Sequence, residues 1–194
     1  MTYYSRHLPH WHPEATWLFV TWRLAGSLPF SPDLLMLKRP APQNPGAVFA
    51  GFDRQIDHAS HGPKWLADPR VARIVVEILR AGERERGFYH LRAWVIMPNH
   101  VHVLWNPLAP MSRITRWVKG STARKANVVL GRTGEIFWQG ESYDHWVRNQ
   151  DELEKIVRYV ESNPVTAGLA GAPEHWPWSS ASAAGETACP TEFS

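Results

Sequence analysis

Apolar positions recur with two different periods along this chain, and the periods divide it into elements. Thr16 to Leu24 (TWLFVTWRL) is rich in β-branched and aromatic residues and predicts a strand, ended by Gly26 and Pro29. Asp68-Pro69 is a helix start, with an acidic cap and proline at the first helical position. Val71, Ile74, Val75, Ile78 and Leu79 then fall at i, i+3, i+4, i+7 and i+8, the stripe of an amphipathic helix that Gly87 closes. Phe88 to Ile96 and His100 to Trp105 predict two strands that pair as a hairpin around Met97-Pro98-Asn99. A second helix is expected from Arg113 to about Leu130, capped by Ser112, with Ile114, Trp117 and Val118 toward the core. Ile136 to Gln139 and Tyr143 to Val147 predict short strands. Asp151 to Ser162 predicts a third long helix with the stripe Leu153, Ile156, Val157 and Val160, stopped near Asn163 by Pro164.

The order strand, helix, strand, strand, helix, strand, helix points to an α+β fold. The expected form is a ferredoxin-like antiparallel sheet with helices packed on one face. Three parts are expected: an N-terminal arm over 1–15, one domain over 16–167, and a C-terminal tail over 168–194. Within the domain, 31–63 is a long proline-rich insertion (Pro32, Pro40, Pro42, Pro45, Pro63), with a short helix around Val48 to Ala59.

Composition narrows the class. A chain of 194 residues can bury a real core. With 21 basic and 18 acidic residues it is mildly basic, which permits a nucleic-acid partner without requiring one. Eleven tryptophans supply stacking surface as well as core. The single cysteine, Cys189, excludes an intramolecular disulfide framework and suits a reducing compartment. No apolar run reaches the roughly 20 residues that span a bilayer, and no signal-peptide pattern opens the chain. A cytoplasmic protein without membrane contact is the expectation.

The candidate chemistry starts from Met97-Pro98-Asn99-His100-Val101-His102-Val103-Leu104-Trp105. A strand has a side-chain period of two, so His100 and His102 share a face and make a half-site for a divalent metal. In isolation this pair equally suits a structural or unrelated zinc site. On the last helix Tyr159 lies well off the core stripe, and Asn163 follows one turn later on the same side. A carboxamide oxygen can ligate a hard cation, and a phenol beside a metal is a candidate nucleophile. Between these two halves lies the most basic element, with Arg113, Arg116, Lys119, Arg124 and Lys125. They form either a solvated helix face or a phosphate-binding one.

The segments MPNHVHVLW, WVKGSTARKANVVLGRTGEIFWQGESYDHWVRN and YVESNPVTAGL, with RHLPHW near the start and PEHWPWSSA near the end, resemble the REP-associated tyrosine transposases. These are single-tyrosine insertion-sequence transposases of the HUH (His, hydrophobic, His) nuclease group, and the resemblance spans nearly the whole chain. It implies the HUH endonuclease fold, with His100 and His102 as metal ligands and Tyr159 as nucleophile. Asn163 stands where related enzymes commonly carry a glutamine ligand; asparagine is one methylene shorter. Tyr143, Asp144 and His145 match a recurrent family segment without an assigned role. The resemblance further implies Mg²⁺ or Mn²⁺ as cofactor and single-stranded DNA with palindromic hairpins as substrate. The enzyme would be a DNA endonuclease and strand transferase working through a 5′-phosphotyrosine, as a monomer or homodimer. Two other readings stand beside it. One is a domesticated hairpin-DNA-binding protein without transposition. The other is a zinc hydrolase that would recruit Asp144 or His145 as a further ligand and leave Tyr159 and Asn163 unexplained.

Overall fold

The computed structural model describes residues 16–27, 62–140 and 142–183. The expected arm over 1–15, the insertion as far as 61 with its short helix, and the chain from 184 onward, including Cys189, lie outside the described residues. Strand β1 is Leu18–Arg23. Helix α1, Pro69–Arg84, starts as expected, with the Asp68 carboxylate accepting the Arg70 N–H at 2.9 Å. Strands β2 (Tyr89–Ile96) and β3 (His100–Pro107) form the hairpin, closed where the Met97 N–H donates to the His100 carbonyl at 2.9 Å. Helix α2 (Met111–Val129), strand β4 (Tyr143–Trp146) and helix α3 (Gln150–Thr166) follow. The four strands are antiparallel throughout, in the order β2-β3-β1-β4. This is the ferredoxin-like βαββαβ arrangement, and it makes β3 and β1 the interior strands.

The layering differs from the expected single helical face. Val101, Val103 and Trp105 join Leu18, Val20 and Trp22 on one side of the sheet, under α1 and α2. Phe19, Ala93, Val95, Met97 and Leu104 form a second apolar set on the other side, where Leu153 and Val160 of α3 pack. A helix stripe shows that one side seeks a core; it does not say which of two apolar sheet faces will take it.

Other local differences have simple causes. Helix α2 begins at Met111 rather than Arg113, because Pro110 is already set at φ −54° for a helix entry. Residues 136–139 do not run as a strand. Phe137 and Trp138 are both buried, the latter donating its indole N–H to Thr122 Oγ1 at 2.8 Å, so the two-residue period breaks. Helix α3 continues through Pro164 to Thr166. The proline forfeits one backbone bond, and the Ala167 N–H resumes the ladder on the Asn163 carbonyl at 2.9 Å. Residues 176–180, read as part of a tail, cover the outer edge of β2. The Ile96 N–H donates to Trp178 O at 2.8 Å and the Trp176 indole donates to Ile96 O at 3.0 Å.

Gly82 marks the closest approach of α1 to β2. A Cβ there would run into the Tyr89 phenol, which is held in place by donating to the Leu79 carbonyl at 2.8 Å. Gly82→Ala is therefore expected to destabilise the protein by about 1–3 kcal/mol despite alanine's better helix propensity. Urea denaturation would check this; an unchanged or raised midpoint would contradict it.

Candidate active site

Both imidazoles on β3 are wholly buried. Each is held through Nδ1: His100 against Asn99 Oδ1 at 2.7 Å, and His102 against Thr21 Oγ1 at 2.7 Å. Thr21 reaches His102 because the two are register partners between β1 and β3. Phe19 stacks on the His102 ring, with centroids 5.6 Å apart and planes at 22°. With Nδ1 engaged on each ring, the two Nε2 atoms turn toward each other at 3.0 Å. Burial pushes the His100 imidazole down to about 3. His102 is pushed well below its usual value, by burial first and by His100 second. Both rings are therefore neutral near pH 7, the form that ligates metals.

Helix α3 brings the rest. Glu152, Ile156, Tyr159 and Asn163 fall at i, i+4, i+7 and i+11, a stripe directed at the histidine face of the sheet. The Tyr159 ring meets Phe19 edge-on (6.3 Å, 82°) and lies 5.9 Å from the His102 ring. Asn163 is buried; its Nδ2 lies 3.5 Å from His102 Nε2 and 3.4 Å from the Tyr159 hydroxyl. Its Oδ1 has no hydrogen-bond partner among the described residues. Two contacts near the limit of hydrogen bonding hold this carboxamide loosely, and a half-turn exchanges its oxygen and nitrogen.

This donor set fits a divalent cation. Two ligand atoms each about 2.1 Å from one octahedral ion stand about 3.0 Å apart, the spacing of the Nε2 pair. Outer hydrogen bonds that orient metal-binding imidazoles through the other ring nitrogen are the usual support, and Asn99 and Thr21 occupy that position. Asp144 and His145 do not join the pair. Asp144 pairs with Val20 and so lies on the opposite face of the sheet, while His145 contacts Glu152. Among the described residues, no cluster of three His, Cys, Asp or Glu side chains could hold a metal.

One chain thus brings His100, His102, Tyr159 and Asn163 together. The basic set is elsewhere. Helix α2 packs on the opposite face, with Arg116, Arg124 and Lys125 exposed and the Arg113 guanidinium 5.1 Å over the Phe88 ring. Lys119 donates to the carbonyls of Gln139 and Gly140 at 2.6 and 3.2 Å, tying that loop to the helix. Between α2 and residues 135–140 runs a groove of about 940 Å³, lined by Arg116, Lys119, Ile136, Phe137 and Trp138 among others. Sequence reasoning missed Thr21, Asn99 and Phe19, and also Arg23, the register partner of His100 on the same face. The adjacency of Asn99 to His100 and the alternation of Phe19, Thr21 and Arg23 were visible; the pairing that joins them was not.

A ferredoxin-like sheet bearing a His-hydrophobic-His pair on an interior strand, faced by a helical tyrosine, places the protein in the HUH-type α+β class. The family described as "Transposase IS200 like" matches residues 64–163, just over half of the chain. The chain belongs to this IS200-like transposase family. Among solved structures, a REP-associated tyrosine transposase bound to a REP hairpin superposes with a TM-score of 0.57 at 18% identity, covering 100% of this chain and 92% of that one. A transposase candidate from Deinococcus radiodurans R1 gives a TM-score of 0.43 at 16% identity, covering 84% of this chain and 98% of that one. No curated protein matches the sequence. No helix among the described residues is long and apolar enough to cross a membrane.

The buried pair makes the metal-free protein acid-sensitive. An unfolded imidazole takes up its proton near 6.5 and folded His100 only at about 3. Between those values the unfolded chain binds more protons, so stability falls as pH drops below about 6.5. Urea midpoints measured with chelator at pH 7.5 and 5 should show this loss, and a His100→Gln, His102→Gln protein should show a smaller one. Equal losses in both proteins would contradict it.

Proposed function

We propose that this transposase is a metal-dependent endonuclease and strand transferase acting on single-stranded DNA at hairpin-forming palindromes. The observation that carries the reading is the meeting of the His100–His102 Nε2 pair with Tyr159 and the unsatisfied Asn163 oxygen. His100, His102 and Asn163 would hold Mg²⁺ or Mn²⁺, and the bound ion would supply charge neutralisation at the scissile phosphate. The Tyr159 hydroxyl attacks phosphorus and gives up its proton. The new bond is a 5′-phosphotyrosine; the broken P–O3′ bond leaves a 3′-hydroxyl after protonation. Because the phosphotyrosine conserves the ester, attack by another 3′-hydroxyl rejoins strands and restores the phenol. Asn163, one turn further on the same helix, brings its carboxamide beside both the phenol and the histidine pair. The hairpin as substrate class rests on the likeness to a transposase solved with a REP hairpin. A transposase acting on chromosomal DNA would work in the cytoplasm.

Backbone phosphates fall to the exposed cations of α2. Arg113, Arg116, Arg124 and Lys125 would grip DNA, and Lys119, holding the 139–140 carbonyls, would shape the groove beside them.

Single-stranded hairpin oligonucleotides drawn from the DNA flanking the gene, incubated with protein and Mn²⁺, should give a DNA–protein adduct on a denaturing gel. Tyr159→Phe should bind the same DNA and give none; His100→Ala should bind and lose metal-dependent cleavage. Tight binding without any adduct from the wild type would replace this reading with hairpin binding alone. The double variant Arg116→Ala, Arg124→Ala should weaken binding and flatten the log Kd against log salt slope by about 0.7–0.9 per lost phosphate contact. An unchanged slope would remove these residues from the interface.

A further inference from the structure

The segment Tyr143, Asp144, His145 has a division of labour that the pairing reveals. Register partners Thr21↔Tyr143 and Phe19↔His145 put Tyr143 and His145 on the histidine face. His145 Nε2 meets Glu152 Oε1 at 2.9 Å. The other carboxylate oxygen of Glu152 accepts the Arg148 N–H at 2.7 Å, and the Glu152 N–H donates to the Asn149 cap at 2.9 Å. Burial opposes the charge on Glu152, but the Arg148 N–H and the His145 imidazole outweigh it and hold the carboxyl below its usual range. A single ionised carboxylate therefore joins β4 to the first turn of α3. Glu152 stands two helical turns before Tyr159 on the same stripe. Toward the other end, Ser180 Oγ donates to Glu161 Oε1 at 2.9 Å.

We infer that the His145–Glu152 contact is a positioning device that sets where the Tyr159 hydroxyl stands over the histidine pair. The inference rests on Tyr159 being the nucleophile. Helix α3 lies on the smaller of the two apolar clusters, and a shift by one residue along its axis would move Tyr159 by about 1.5 Å. In-line attack does not tolerate a displacement of that size. Phe19 and His102 meet the helix at Tyr159, and the His145–Glu152 contact fixes the same helix from its start, on a strand paired to the one that carries Phe19. His145 sits on β4, one strand removed from the pair, and its hydrogen bond goes to Glu152, so it acts through that carboxylate. Its removal leaves the Asn149 cap and the Arg148 N–H bond in place.

The test compares His145→Ala with His145→Gln, whose amide N–H can still donate to Glu152. Single-turnover adduct formation at saturating hairpin oligonucleotide and Mn²⁺ is read beside the DNA Kd, with wild type and Tyr159→Phe alongside. His145→Ala should slow the adduct step by about 10²-fold while the Kd stays within about twofold, and His145→Gln should recover most of the rate. If His145→Ala does not fold, Glu152→Asp, which withdraws the carboxylate by one methylene, should show the same split. A wild-type rate in the variant tested, no rescue by glutamine, or a Kd that weakens in step with the rate would overturn the inference. An adduct that persists in Tyr159→Phe overturns the nucleophile assignment and this inference together. A Tyr159-dependent adduct insensitive to His145 overturns this inference alone.

Discussion

The antiparallel pairing of β1 with β3 is the contact on which the site depends. It makes β3 an interior strand, so a segment carrying two imidazoles is shielded on both edges as well as both faces. It delivers Thr21 to His102 and Arg23 to the side of His100. The desolvation that results keeps both rings neutral. Two imidazoles set nitrogen to nitrogen at 3.0 Å are a poor way to fill a core and a good way to receive a cation. The strand tolerates them because its other face, Val101, Val103 and Trp105, contributes to the larger apolar cluster.

That asymmetry divides the molecule. The cluster under α1 and α2 holds most of the large buried side chains, including Trp105, Tyr89, Leu79 and Phe137. The opposite face carries fewer apolar residues and gives its remaining area to Thr21, His100, His102 and the polar stripe of α3. The main core and the histidine pair thus sit on opposite sides of one sheet. Side chains on the histidine face are not needed to close the main core.

Much of this was legible in the sequence, for identifiable reasons. The two-residue period of His100, His102 and Leu104 survives because β3 is regular along its length, and Asp68-Pro69 starts a helix by local chemistry alone. Tyr159 and Asn163 could be placed on one side of a helix because their spacing is a helical turn. What could not be read depends on long-range pairing. The choice of sheet face for α3 is set by Phe19, Ala93, Val95 and Leu104 meeting on one side, which no single stretch shows. The charges of α2 were plain, but their position across the sheet from the histidines follows from Ile114 and Val118 joining the other cluster. Pro164 looked like a stop and is a tolerated interruption, because it lies in the last turn, where the Ala167 N–H still closes on the Asn163 carbonyl and the Leu169 N–H on the carbonyl of Pro164 itself. His145 and Glu152 are seven residues apart, and nothing local says they touch.

The central claim is that this buried pair is a preformed metal site completed from α3. Pulsed electron paramagnetic resonance of the Mn²⁺-loaded protein tests it most directly, because imidazole nitrogen bound to Mn²⁺ leaves a coupling that water and carboxylate ligands do not. The account predicts ¹⁴N couplings from two imidazoles in the wild type, one fewer in His102→Ala, and weaker Mn²⁺ binding in Asn163→Ala with both couplings retained. Mn²⁺ bound without nitrogen coupling, or bound as tightly after both histidines are replaced, would contradict it.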